Sequence, residues 1–198
     1  GITTRQFNGA NPISAMWNTI NSTYFERNYM KIYEKTFANI SFSRELTNGF
    51  RFNTSLEYAD RKPLVNTTNY SSKNYADRVY TSNDPRNPTN FSPSFTQHKI
   101  WTLNIGTTIN FGTKYLSYPD RKFTVYNNKY PSIYVGYRKT FDANNSQHNS
   151  DYVFTQLRQN FSLGNLGNTK YRIKGGLFLE QKNISFIDYA HFNGNKLA

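Results

Sequence analysis

Between Phe37 and Tyr58, apolar and polar side chains alternate on both sides of a Thr47-Asn48-Gly49 turn signal, and this alternation constrains the fold more than any other feature of the chain. Ala38, Ile40, Phe42 and Leu46 share one face of a first strand, with Asn39, Ser41, Ser43 and Glu45 on the other. After the turn, Phe50, Phe52, Leu56 and Tyr58 continue the apolar face against Arg51, Asn53, Ser55 and Glu57. A period of two over about ten residues on each side specifies a β-hairpin. The faces also choose the loop. A two-residue Asn48-Gly49 loop would set Leu46 against Arg51. A three-residue loop with Gly49 in the left-handed region sets Leu46 against Phe50, Ile40 against Leu56 and Glu45 against Arg51. The three-residue loop is therefore expected.

A sheet with one aromatic, apolar face and one face of Asn, Ser, Glu and Arg has lipid or a core on one side and water on the other. Each strand is about as long as a tilted strand that crosses a bilayer, roughly 9 to 11 residues. In 198 residues with 36% hydrophobic content and a mean hydropathy of −0.77, no run approaches the ~18 apolar residues of a membrane helix. A β-barrel is compatible with such values, because half of each strand faces water and long loops dilute the average. The 16 Tyr and 16 Phe suit interfacial girdles. A Tyr-rich soluble β-sandwich is the alternative. The net charge of +12 permits nucleic acid, phosphate-bearing lipid or a basic lumen and does not choose among them. With no Cys there is neither a disulfide frame nor a thiolate site.

Along the chain, Gly1 to Pro12 reads as a polar lead-in. Ile13, Met16, Trp17, Ile20 and Tyr24 then recur at helical spacing, predicting a helix over about 12–35. Strands follow at about 36–46, 50–60, 99–111, 132–141, 152–163 and 169–181. The segment Asp60 to Gln97 reads as one long loop, and Gly112 to Tyr130, with its Tyr118-Pro119-Asp120 and Tyr130-Pro131 signals, as a turned, irregular connection. Following the strands up and down places Thr47–Gly49, Gly112–Tyr130 and Gly164–Asn168 at one end, two of the three being tight, and Asp60–Gln97 and Asp142–Ser150 at the other. Short periplasmic turns and long external loops are the outer-membrane pattern, which puts the Asn48-Gly49 end in the periplasm.

Candidate chemistry is sparse. His98, His148 and His191 are far apart and lack metal spacing, so neither a metal nor a cofactor is expected. Ser and Asn are too common for any Ser–His–Asn set to be specific, and no catalytic residue is assigned. Gly164-Asn165-Leu166-Gly167 lacks the Lys-Ser/Thr of a phosphate loop and reads as a turn. Arg158, Lys170, Arg172 and Lys174 fall on the polar face of one hairpin, where they would line a lumen that favours anions or form a solvated face paired to carboxylates. Tyr and Phe are read as lying mainly on the opposite face, which argues against single-stranded nucleic acid as a partner.

The strings Glu26 to Lys35, Leu56 to Leu64, Lys129-Tyr130-Pro131 and His191 to Asn195 resemble an uncharacterised family of Bacteroidota outer-membrane proteins, in which a carboxypeptidase-regulatory-like domain precedes a C-terminal β-barrel. The resemblance spans roughly Phe7 to Asn195. It implies an outer-membrane location, no known catalytic residues, and a chain that is an internal piece of the barrel. The expected fold is thus all-β in the main: residues 1–198 as a single segment of an antiparallel up-and-down transmembrane β-barrel with one early helix. Six strands are too few for closure, since single-chain bacterial barrels start at about eight. The expected partners are outer-membrane lipid and lipopolysaccharide, together with further strands of the parent protein or other outer-membrane proteins. The expected role is non-enzymatic, in transport or an envelope complex. A soluble β-sandwich that binds glycan and an outer-membrane barrel enzyme are the alternatives.

Overall fold

The computed structural model describes residues 1–67, 69–120, 122–125, 129–144 and 147–191, with the backbone alone for Lys122. These residues are mainly antiparallel β with one α-helix. In chain order they form β1 (Ile2–Gln6), α1 (Ala15–Phe25), β2 (Ile32–Thr47), β3 (Phe50–Pro63), β4 (His98–Asn110), β5 (Lys114–Ser117), β6 (Lys122–Val125), β7 (Ser132–Asp142), β8 (Asn149–Ser162) and β9 (Asn168–Lys182). A seven-stranded sheet runs in the order β1-β2-β3-β4-β7-β8-β9, and β5 and β6 form a separate hairpin. Among the described residues no helix is long and apolar enough to cross a membrane, which leaves open crossing by strands. The chain divides into two compact units, one built from Gly1–Ala38, Ala59–Lys99 and a segment beginning at Ile184, the other from Asn39–Tyr58 and Ile100–Asn183.

In the first unit the lead-in is not irregular. Ile2 to Gln6 pairs with Thr36 to Ile32, and this pairing draws Ile32-Tyr33-Glu34-Lys35 into β2, so the helix expected to reach residue 35 ends at Phe25. Glu26 terminates it in the left-handed region at φ 56°. The helix is held by its polar side. Asn18 Oδ1 accepts from the Met30 N–H, whereas Met16, Trp17, Tyr24 and Phe25 are exposed. Among the described residues the loop after β3 has no regular element as far as Gln97, yet it is tied to the helix end. The Thr23 carbonyl accepts from Ser72 N–H and from the Ser71 and Ser72 hydroxyls, the Ser22 carbonyl from Tyr80 Oη, and the Phe25 carbonyl from Arg78 Nη1. These are the carbonyls that a helix C-terminus leaves without intrahelical partners. Phe7, 1% exposed, anchors the core of this unit against Tyr33, Phe95 and Phe186, with ring centroids 5.5 to 6.2 Å apart.

In the second unit the first hairpin has the three-residue loop. The Arg51–Glu45 ion pair at 3.7 Å and the Ser43–Asn53 hydrogen bond at 2.8 Å are cross-strand pairs of the register that sets Leu46 against Phe50. Gly49 has φ +73°, whereas Asn48 has no positive φ. The Gly49 N–H donates to Glu45 Oε1 at 2.9 Å, and its carbonyl accepts from the Asn110 N–H at 2.7 Å. A Cβ at Gly49 would meet the Asn110 carbonyl and sit 2.7 Å from Thr113 Oγ1. Gly49→Val is expected to lower stability by about 1–3 kcal/mol, through both positive φ and overlap, and to lower the urea midpoint accordingly. An unchanged midpoint would contradict this reading of the turn.

The registers of β4, β7, β8 and β9 sort their side chains into two faces. Ile109, Ile133, Leu157 and Ile173 form one row of the apolar face, and Tyr137, Val153 and Leu177 another. On the polar face, Gly106, Gly136, Phe154 and Gly176 form a row, with aromatic rings from neighbouring positions lying over the glycines. A Cβ at Gly106 would be 2.6 Å from Tyr134 Cζ, one at Gly136 2.6 Å from Phe154 Cζ, and one at Gly176 2.6 Å from Tyr152 Cζ. The polar face therefore carries Tyr134, Tyr152, Phe154 and Phe178, in contact as a stack with centroid separations of 4.5 to 5.6 Å. This corrects the expectation that aromatics and cations occupy opposite faces. Arg138 lies 5.8 Å from the Tyr152 ring and Lys174 4.9 Å from that of Phe154. The Gly112–Tyr130 connection is also more regular than expected, because Lys114–Ser117 pairs with Lys122–Val125 across the Tyr118-Pro119 turn.

Candidate basic binding site

Strand alternation brings the cations of β8 and β9 together. Arg158 and Arg172 are direct cross-strand partners, and Lys170, opposite Asn160, lies two residues further along the same face. Ser132 of β7 is the partner of Arg158 on its other side, and Asn110 of β4 is the partner of Ser132. With Arg51 of β3, Thr108, Tyr130, Gln159 and Tyr171, these residues line a cavity of about 750 Å³ within the second unit. Three of the four cations expected to form a basic patch, Arg158, Lys170 and Arg172, line it. Lys174 does not, lying instead over the Phe154 ring.

Four cations and no carboxylate line the cavity. Glu45 reaches Arg51 at 3.7 Å from outside the lining, while Arg158, Lys170 and Arg172 have no carboxylate within 4 Å among the described residues. Of the two readings of this patch, pairing to carboxylates is not seen for these three cations among the described residues. Like charges directly opposite on neighbouring strands repel, and an anion between them would relieve that repulsion. Ser132 supplies a second sign, since its Oγ is buried and has no hydrogen-bond partner among the described residues. Arg51, Tyr130 and Ser132 were missed in the sequence. Parity places Arg51 on the polar face, but only the β4–β7–β8 register brings Ser132 beside Arg158.

Other chemistry-bearing groups have structural partners. The histidine rings donate to backbone carbonyls: His98 Nδ1 to Thr96 at 2.9 Å, His191 Nε2 to Phe186 at 2.9 Å, and His148 Nδ1 to Asn183. Among the described residues no group of three or more His, Asp or Glu could hold a metal ion. Of the string His191 to Asn195, only His191 lies within the described residues. In the first unit, Arg61 and Asp188 form a buried bidentate pair at 2.8 and 2.9 Å.

Lys31, 3% exposed and ahead of β2, donates to Thr81 Oγ1 at 2.5 Å, and burial pushes its ammonium down to about 8. Because the unfolded lysine keeps its value of 10.5, the unfolded chain binds more protons than the folded one between about pH 8 and 10.5. Stability contributed by this group therefore rises with pH across that window. Melting temperatures measured from pH 7 to 10 should show a rise in the parent that Lys31→Met flattens; parallel profiles would contradict the assignment.

A family model described as "Family of unknown function (DUF5686) C-terminal domain" matches residues 1–198. No curated protein and no solved structure matches the chain.

Proposed function

The chain belongs to the DUF5686 family, in the C-terminal domain of that family, and from this premise we propose that it is part of a transmembrane β-barrel in the bacterial outer membrane. Its apolar strand face meets lipid and lipopolysaccharide, and its polar face lines an aqueous lumen that favours anions. In this reading the chain is a non-enzymatic element of transport or of an envelope complex.

The observation that carries the proposal is the exposure of one apolar face in the second unit. Ile40, Phe42 and Leu46 are 54 to 72% exposed, and Ile173, Leu177 and Leu179 62 to 65%. A contiguous apolar surface of this kind marks a membrane or partner contact. The face is also bounded. At one end Lys139 Nζ lies 3.0 Å from Asp151 and 3.9 Å from Glu180, and Tyr137 Oη donates to Asp151 at 2.7 Å. At the other end Tyr171 Oη donates to Gln159 at 2.7 Å. From Asp151 to Gln159 the strand rises roughly 27 Å, which at a tilt of about 40° is a height of roughly 20 Å, close to the ~25 Å apolar band of outer-membrane barrels. Aromatic rings accompany both boundaries: Tyr58 and Trp101 at 5.1 Å near the first, Phe161 and Tyr171 at 6.4 Å near the second.

Two sheet edges bear on partners. Among the described residues no strand pairs with Asn39–Thr47 on the side away from β3, or with β9 on the side away from β8. In hydrocarbon each unpaired backbone group costs several kcal/mol. The barrel reading therefore includes further strands of the parent protein, or another outer-membrane protein, at both edges. Purification tests the proposal directly. The chain should require detergent or lipid to remain dispersed, and a monomer that unfolds cooperatively in plain buffer would overturn it.

A further inference from the structure

We propose that the cavity between β3, β4, β7, β8 and β9 binds a phosphorylated sugar, an inference that deepens the anion-favouring lumen and rests on that reading of the polar face. The cations define the anionic part. Arg158 and Arg172 face each other across neighbouring strands with Lys170 beside them, and none of the three has a carboxylate partner among the described residues. The guanidinium fork matches phosphate bidentately, and a doubly charged group between two forks removes their mutual repulsion.

The rest of the site is built for something larger. A cavity of about 750 Å³ falls within the range of small-molecule sites and far exceeds a single phosphate ion. Its neutral lining includes the hydroxyl of Ser132 and the amides of Asn110 and Asn160, groups that exchange hydrogen bonds with a polyol as donors and acceptors alike. The buried Ser132 Oγ has no partner of its own among the described residues, as expected of a group that waits for one from the ligand. Tyr130 is 47% exposed and offers a ring to the C–H face of a sugar. The same chemistry belongs to a soluble sugar phosphate and to the headgroup of a phosphorylated glycolipid.

Calorimetry on the full chain in detergent micelles at low salt tests the assignment, using glucose 1-phosphate, inorganic phosphate and glucose as probes. Glucose 1-phosphate is expected to bind about tenfold or more tightly than inorganic phosphate, and glucose not measurably. Arg158→Gln with Arg172→Gln should weaken glucose 1-phosphate at least about tenfold, the loss expected for charge-assisted hydrogen bonds. Ser132→Ala should weaken it a few-fold, and Lys139→Gln on the apolar face should leave it unchanged. The milder pair Arg158→Lys and Arg172→Lys keeps the charge and guards against misfolding, and it should still lose affinity because it removes the forks. A phosphorylated glucosamine glycolipid in mixed micelles that displaces glucose 1-phosphate at lower concentration would assign the site to the headgroup, and failure to displace would assign it to the soluble sugar phosphate. Equal affinity for inorganic phosphate would overturn the sugar assignment and leave the anion-favouring lumen standing. Absence of binding by either anion would overturn both, whatever the detergent requirement shows, and binding that survives the arginine substitutions would overturn the location.

Discussion

Asp188→Ala is expected to destabilise the first unit by about 3–5 kcal/mol, because it removes the bidentate carboxylate that the Arg61 guanidinium meets in a buried site. The side chains of Arg61 and Asp188 are only 6% and 10% exposed, and two parallel hydrogen bonds join them. The pair also fixes the segment that carries Phe186 against Phe7 and Tyr189, so its loss should loosen the aromatic core as well. Replacing both partners by apolar residues of similar volume, Arg61→Met with Asp188→Leu, should recover most of the loss, since the charge that needed compensation is gone. Urea titration followed by limited proteolysis of this unit measures both. A single substitution that costs less than about 1 kcal/mol would show that water reaches the guanidinium.

Ile105→Arg, on β4, is expected to cost about 2–4 kcal/mol when the chain is folded in a bilayer, the penalty for a cation at mid-depth on the lipid side of a barrel. Its register partner is Tyr137 on the apolar face, whereas the adjacent Asn104 is opposite Arg138 on the polar face. Asn104→Glu should therefore cost much less, because the new carboxylate meets water and an arginine. Folding titrations into lipid vesicles compare the two. Similar penalties would mean that the faces do not differ in environment, and the membrane proposal would lose its main support.

Strands that own an alternating face could be read from the sequence, and those that borrow order from a neighbour could not. β2, β3, β4, β7, β8 and β9 each carry an alternating apolar stretch, such as Ile133, Val135 and Tyr137 of β7 or Tyr171, Ile173 and Leu177 of β9. Ile2-Thr3-Thr4-Arg5-Gln6 has no apolar period and is a strand only because Ile32 to Thr36 lies beside it. That same pairing shortened the helix, a case of tertiary contact overriding local spacing. The β5–β6 hairpin has four residues on each side of its turn, too few for a period to show. At the site, parity alone places Arg158, Lys170 and Arg172 together, and it places Lys174 with them because it says nothing of the Phe154 ring beyond, over which the Lys174 ammonium lies. The polar-face aromatics did leave a trace in the glycines at mid-strand positions 106, 136 and 176, since a glycine inside a strand often marks a close approach.

The irregular step between β8 and β9 decides where the apolar surface stops. Tyr152 is paired with Phe178 but Asp151 with Glu180, so Leu179 is an extra residue on its strand. Strict alternation would send Glu180 to the side of Phe178, on the polar face. The single inserted residue instead turns it to the side of Leu177, where Lys139 awaits a second carboxylate. The bulge thus lets Leu179 stay in the strand while Glu180 keeps its place beside Lys139. Deleting Leu179 would remove the bulge and leave Glu180 on the side of Leu177, opposite Asp151 and beside Lys139, so the charged end of the strand would stay while the apolar stripe lost one side chain.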